Sequence, residues 1–180
     1  TLLVPESNEN TPLVILIAGS GPTDRNGNQS FMKNDMLKKL AEKLSENGVA
    51  TFRYDKRVVK QLKTRTFDNN ILFDDFVTDA KSVVNYFNPS YASIAIAGHS
   101  QGSLVGLLAA EAGADLFISL AGAGNSIDQV ILEQITKTAP FFSEDTKRVL
   151  EILKRKETTT EIPPALASIF SLDIQPFMSN

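Results

Sequence analysis

Cysteine and tryptophan are absent from the 180-residue sequence, and histidine occurs once, at position 99. Without cysteine, these residues form neither a disulfide framework nor a thiolate-bound metal or cluster. With one histidine, a mechanism that uses a histidine base must find it at position 99 or outside these residues. A basic excess is also missing, since 18 Lys and Arg face 21 Asp and Glu. This balance argues against a nucleic-acid-binding or membrane-surface protein.

Long hydrophobic runs are missing too. No apolar stretch approaches the roughly 18 residues that a membrane span requires, and no signal-peptide pattern begins the sequence. The remaining composition, 42% hydrophobic and 22% charged, is that of an ordinary globular protein with a real core. The cytoplasm is the default expectation for the compartment, and a removed leader would instead mean the periplasm or secretion.

The first two thirds of the sequence alternate between strand and helix patterns. Residues 13–18 are aliphatic throughout, which predicts a central strand of a parallel sheet covered on both faces. Strand–helix alternation at this spacing predicts an α/β fold with a parallel sheet and right-handed crossovers. The basic segment 55–66 is expected to be a solvated loop. The predicted strands are 1–5, 13–18, 49–54, 91–97 and 114–121, and the predicted helices are 36–46 (capped by Asn34 or Asp35), 71–87 and 101–112.

The pattern changes after Gly124. Residues 125–180 contain no strand pattern and helical patterns at about 126–136, 147–156 (opened by Ser143-Glu144-Asp145) and 165–170. We therefore expect two domains: an incomplete α/β core at 1–124 and a helical cap or lid segment at 125–180.

One motif carries chemistry. Gly98-His99-Ser100-Gln101-Gly102 matches G-x-S-x-G and lies between a predicted strand and a predicted helix, the context that a nucleophile elbow requires. The elbow forces its central residue into strained backbone geometry, and Gly98 and Gly102 leave room for it. Ser100 is therefore the candidate nucleophile.

The motif and its context resemble the α/β-hydrolase superfamily. Residues 17–28 (IAGSGPTDRNGN) and 53–57 (RYDKR) are similar to segments of bacterial serine esterases and lipases, although 58–61 (VVKQ) replace the glycines that normally follow. The resemblance implies a mostly parallel sheet with flanking helices, whose last strands are absent here. It also implies an oxyanion hole made by the amides of Gln101 and of Ser20 or Gly21. Glycines agree with this role, because they let backbone amides face the serine.

Other interpretations of these segments are weaker. Gly19-x-Gly21 lacks the third glycine of a dinucleotide site, and Asp24-x-Asn26-x-Asn28 is only half a calcium loop. We expect Asp24 and Arg25 to make turn and ion-pair contacts that hold the loop. His99 is adjacent to Ser100 on a sharp turn, so its side chain is expected to point away from the serine hydroxyl and to serve in packing or hydrogen bonding. No metal or cofactor is expected.

The sequence lacks a complete triad. In this superfamily the acid and then the histidine follow the nucleophile, yet no histidine follows residue 99, and Asp128 is a weak candidate for the acid. We expect these residues to be the amino-terminal part of a longer serine hydrolase that cleaves small carboxylic esters, with the histidine and acid beyond residue 180. The alternatives are a thioesterase or peptidase of the same fold, or a non-catalytic binding protein. The substrate's acyl and alcohol groups and the oligomeric state stay open.

Overall fold

A computed structural model describes residues 1–5, 11–66 and 71–179. Within them, five strands form one sheet in the order β1, β3, β2, β4, β5. Strands β2 to β5 are mutually parallel, and only β1 pairs antiparallel, with β3. The predicted α/β class is confirmed. The strands are β1 (Leu2–Leu3), β2 (Leu13–Ile17), β3 (Ala50–Arg53), β4 (Ile94–His99) and β5 (Leu116–Leu120).

Strand β2 occupies the centre of the sheet, as its aliphatic sequence predicts, and all five of its residues are buried. Its register with β4 runs from Leu13 opposite Ile94 to Ile17 opposite Gly98. The carboxyl ends of the two strands therefore lie side by side. Residues that follow β2 and residues that follow β4 meet at one edge of the sheet.

Helices connect and cover the strands. In α1, Leu37 and Ala41 are buried, and Ala41 packs with Val14, Leu16 and Ala97 in one apolar cluster. Asp35 occupies the N-cap position of α1 without a side-chain cap hydrogen bond, whereas Asn34 Oδ1 accepts a hydrogen bond from the Met36 amide (3.0 Å). The helices of this part are α1 (Met36–Glu46), α2 (Arg57–Thr64), α3 (Phe73–Phe87) and α4 (Gln101–Ala109), the last extended by a 3₁₀ turn (Ala110–Ala112).

The prediction of a loop at 55–66 is wrong, because Arg57–Thr64 form helix α2. Val58, Val59 and Leu62 recur at helical spacing, and Val59 is buried. The many basic residues between them conceal this apolar pattern in the sequence. The charged residues occupy the other faces of a short amphipathic helix.

Several boundaries also differ from the prediction. Helix α3 begins at Phe73 rather than at Ile71, and β4 is shifted toward the motif, so that His99 is its last residue. Element ends depend on which hydrogen bonds are completed by distant partners, and such partners are not visible in a local pattern.

The chain divides into two compact units, residues 1–67 with 74–122, and residues 68–73 with 123–180. The described part of the second unit contains helices and 3₁₀ turns but no strand. Gln175 is buried there, and its side-chain amide donates hydrogen bonds to the carbonyls of Thr159 and Phe170. That this unit acts as a cap remains a prediction. Its helices are α5 (Ile127–Thr138), α6 (Ser143–Lys154), α7 (Ala167–Phe170) and α8 (Gln175–Met178), with 3₁₀ turns at Pro140–Phe142 and Pro164–Leu166.

The second unit has an apolar core of its own. Its buried members are Ile135, Val149, Leu150, Leu153, Leu166 and Phe170. Helix α6 begins at Ser143, the first residue of the segment predicted to open it, and α8 is not evident from the sequence pattern. Among the described residues, no helix has both the length and the apolar character needed to cross a membrane.

Replacing Leu16 by alanine should lower the free energy of unfolding by about 2–5 kcal/mol, because the buried side chain leaves a cavity in the cluster beside α1. Leu116→Ala is the matched control, since that leucine is 56% exposed on the edge strand β5 of the same sheet. Equilibrium denaturation in urea measures both changes. Equal losses in the two variants would contradict this description of the core.

Candidate active site

Ser100 lies at the sharp turn between β4 and α4. Its backbone has φ 53° and ψ −121°, a conformation that costs free energy in any residue with a side chain. Two hydrogen bonds hold it: the Ser100 amide donates to the Leu120 carbonyl (2.9 Å), and the Ser103 amide donates to the Ser100 carbonyl (2.9 Å). The end of β5 and the first turn of α4 thus fix a partly exposed serine at the carboxyl edge of the sheet.

Glycine is required on both sides of this turn. A Cβ atom on Gly98 would overlap the backbone carbonyl group of Gly102, and one on Gly102 would lie 2.6 Å from the Ile17 carbonyl oxygen. Real Cβ atoms do not approach backbone atoms so closely. The first turn of α4 is therefore packed directly against the end of β2, which brings Ser100 close to the loop that follows β2.

That loop begins with Gly19, whose backbone lies beside the serine. A Cβ atom on Gly19 would lie 3.3 Å from Ser100 Cβ and 3.1 Å from His99 Nδ1. The loop and the Ser100 turn therefore meet at one edge of the sheet, where Ser20 follows Gly19 and Gln101 follows Ser100. Within residues 1–5, 11–66 and 71–179, the amides of Ser20, Gly21 and Gln101 donate no hydrogen bond to a protein acceptor.

Each carbonyl group at the start of this loop has a specific donor. The Gly19 carbonyl accepts a hydrogen bond from Lys56 Nζ. The Ser20 carbonyl accepts one from Thr23 Oγ1 (2.7 Å) and a longer one from Gln29 Nε2 (3.3 Å). Because both carbonyls are held, the orientations of the Gly19–Ser20 and Ser20–Gly21 peptide planes are determined.

The rest of the loop is held as predicted. Asp24 Oδ1 accepts hydrogen bonds from the amides of Asn26 (2.8 Å) and Asn28 (2.9 Å), which closes a tight turn. Arg25 makes a two-pronged contact with Asp55 (3.1 and 3.0 Å). Partial burial opposes the charge of Asp55, but hydrogen bonds from Arg25 and Lys63 outweigh it and hold the pKa of this carboxyl well below its usual range.

Lys56 was expected in a solvated loop, and this expectation is wrong. The side chain is 4% exposed and lies in a small space that Tyr54, Phe76 and Gln101 also line. Burial lowers the pKa of the amine to about 8, and Nζ lies 5.4 Å from the centre of the Phe76 ring. The burial of Lys56 is not evident from the sequence, because this lysine belongs to a basic run. Its place in the RYDKR segment, which resembles a segment of serine esterases, is the one signal that could have indicated a role.

The described residues do not provide a base to Ser100. The one histidine, His99, is partly buried with Nδ1 toward Gly19, and no histidine or carboxylate is hydrogen-bonded to Ser100 Oγ in the described ranges. Asp128 instead forms an ion pair with Lys154 (2.9 Å), and hydrogen bonds from Ser126 and Lys154 lower its pKa to about 2. Over the same ranges, no three His, Asp or Glu side chains are grouped as metal ligands would be.

Comparison with known proteins finds a similar esterase. The chain is 28% identical over 171 residues to esterase EstD of Thermotoga maritima, an alignment that covers 91% of this chain and 39% of that protein. The chain thus spans about two fifths of the relative's length. No protein-family model matches the sequence.

Gly102→Ala should lower the free energy of unfolding by about 1–3 kcal/mol or more, because the added methyl group meets the carbonyls of Ile17 and Ala18 and must push α4 away from β2. The matched control is Gly124→Ala, where no atom lies within 4 Å of the added carbon. Urea denaturation followed by circular dichroism compares the two. A Gly102 variant as stable as the control would refute the tight packing.

The lowered pKa of Lys56 predicts a pH dependence of stability. The folded state binds this proton more weakly than the unfolded state, so stability rises with pH between about 8 and 10.5, by at most about 1.4 kcal/mol per pH unit. In Lys56→Met this rise in the free energy of unfolding should vanish. Below pH 8 the variant should therefore be more stable, relative to the original protein, than it is at pH 10. Denaturation curves at pH 7 to 10 measure the difference, and parallel pH profiles of the two proteins would contradict it.

Proposed function

We propose that these residues carry the nucleophile and oxyanion hole of a serine hydrolase that cleaves carboxylic esters. The observation that carries the proposal is Ser100, held at positive φ on a strand-to-helix turn beside three amides that have no acceptor among the described residues. The similarity to an esterase over 91% of the chain supports the same reaction class. Thioesters and short peptides undergo the same acyl transfer and are the nearest alternative substrates.

The reaction begins with attack of Ser100 Oγ on the acyl carbon. The Oγ–C bond forms, the carbonyl π electrons move to oxygen, and the serine proton passes to a base. The resulting oxyanion accepts hydrogen bonds from the amides of Gln101 and of Ser20 or Gly21, with further stabilisation from the amino-terminal end of α4. Collapse expels the alcohol with the proton from the base, and water then releases the acid from the acyl-enzyme.

The base and its orienting acid are proposed to lie outside these 180 residues. His99 is the last residue of β4 and lies against Gly19, which leaves it poorly placed to serve Ser100. The chain also spans only 39% of the esterase it resembles. In a protein of that length, the remaining residues can supply the histidine and the acid. Residues 125–180 are proposed to be the cap that shapes the acyl or alcohol pocket.

Ser100→Ala in the full-length protein should abolish hydrolysis of p-nitrophenyl esters and labelling by a fluorophosphonate, because both need the Oγ nucleophile. Ser82→Ala, on the exposed face of α3, is the control and should keep both activities. Turnover and intact mass are the measurements. Turnover that survives in Ser100→Ala would refute the assignment, and a folded original protein that neither turns over nor labels would favour the non-catalytic binding protein.

A further inference from the structure

A buried lysine contacts the backbone of the loop beside Ser100. Lys56 Nζ donates to the carbonyl of Gly19, and that carbonyl belongs to the same peptide group as the Ser20 amide. We propose that Lys56 is a positioning residue that holds the Gly19–Ser20 peptide so that the Ser20 amide serves as an oxyanion donor. This inference rests on the proposed hydrolase function and names the residue that orients one half of the oxyanion hole.

The geometry of the peptide group supports this role. In a trans peptide the C=O and N–H bonds point in opposite directions, so that fixing the carbonyl of Gly19 also fixes the direction of the Ser20 N–H. Lys56 lies on the carbonyl side, and the N–H is directed away from it. Because the Ser20 amide has no acceptor in the described part of the chain, it stays available to a substrate oxygen.

The two candidate donors in the loop are oriented by different side chains. The Gly21 amide belongs to the peptide whose carbonyl, that of Ser20, is held by Thr23 and Gln29. Lys56 acts on the preceding peptide alone. A change at Lys56 therefore tests the Ser20 amide separately from the Gly21 amide.

The buried ammonium group of Lys56 also requires a hydrogen-bonding partner. A buried ammonium is costly unless it is paired, yet no carboxylate lies within salt-bridge distance of Lys56 in the described residues. Asp79, which lines the same small space, is already paired with Arg57 (2.6 Å). The Gly19 carbonyl is thus the hydrogen-bond acceptor that the amine uses. A cation on this carbonyl polarises the peptide and makes its N–H a stronger donor.

The backbone at Lys56 is fixed by ion pairs of the residue that follows it. It immediately precedes α2, whose first residue, Arg57, bonds to both Asp75 (3.0 Å) and Asp79 (2.6 Å) of α3. The amine therefore projects from a fixed point rather than from a free loop. Lys60, one turn further along α2, is exposed and provides a control on the same helix.

The kinetic test replaces Lys56 by methionine, which has a similar length but no donor, in the full-length protein. We expect kcat for p-nitrophenyl esters to fall at least tenfold while KM stays within twofold, because an oxyanion contact acts mainly in the transition state. The midpoint of thermal unfolding should be kept or raised, since a buried charge is removed. Lys60→Met should match the original protein in all three quantities. A Lys56→Met variant with kcat within twofold of the original would overturn the proposal.

A second variant protects this test against a folding failure. Lys56→Gln ends one bond short of the lysine amine and should show the same loss of kcat at unchanged KM. A parallel loss of kcat and of thermal stability in both variants would indicate a structural role and would also overturn the proposal.

A spectroscopic test needs no activity and therefore separates this inference from the proposed function. Labelling glycine with carbonyl ¹³C and serine with ¹⁵N selects Gly–Ser peptide groups, of which these residues contain two, Gly19–Ser20 and Gly102–Ser103. In Lys56→Met the Gly19–Ser20 signal should shift in both dimensions while the Gly102–Ser103 signal stays in place. An unmoved Gly19–Ser20 signal refutes the contact, whereas a shifted signal in a protein that hydrolyses no ester refutes only the proposed function.

Discussion

The parallel pairing of β2 with β4 is the contact on which the rest of the candidate site depends. Because Ile17 pairs with Gly98, the residues that follow the two strands emerge together at one edge of the sheet. The absence of side chains at Gly98 and Gly102 lets α4 start directly against the end of β2. A side chain at either position would separate these elements and move Ser100 away from the Gly19 loop, even with every strand intact.

Polar contacts then convert this proximity into a defined arrangement of donors. The Gly19 and Ser20 carbonyls are held by Lys56 and by Thr23 with Gln29, while Arg25 joins the loop to Asp55. Loops between secondary-structure elements are usually mobile, and a mobile amide is a weak electrostatic catalyst because it must be ordered during the reaction. Hydrogen bonds that fix the carbonyls before the substrate binds remove the need to order the amides during the reaction. Burying the charge of Lys56 costs stability, and the proposed positioning role accounts for that cost.

The proposed chemistry is half of that of a serine hydrolase. In the proposed reaction, a nucleophile on a strained turn accounts for the attack, and backbone amides that donate hydrogen bonds to the negative oxygen account for stabilisation of the intermediate. Proton transfer requires a base, and the position of His99 beside Gly19 does not supply one to Ser100. In the proposed enzyme, the two halves come from different parts of a longer chain, in keeping with a relative of which this chain spans 39%.

The sequence by itself determined the features that depend on neighbouring residues. The α/β class followed from alternating strand and helix patterns, the central place of β2 from its continuous aliphatic run, and the turn at Ser100 from glycines at 98 and 102. The tertiary structure decided what depends on distant residues. Helix α2 was concealed by its basic composition, and the burial of Lys56 could not be read locally, because its environment comes from Gly19 and Phe76, which are 37 residues before it and 20 after it.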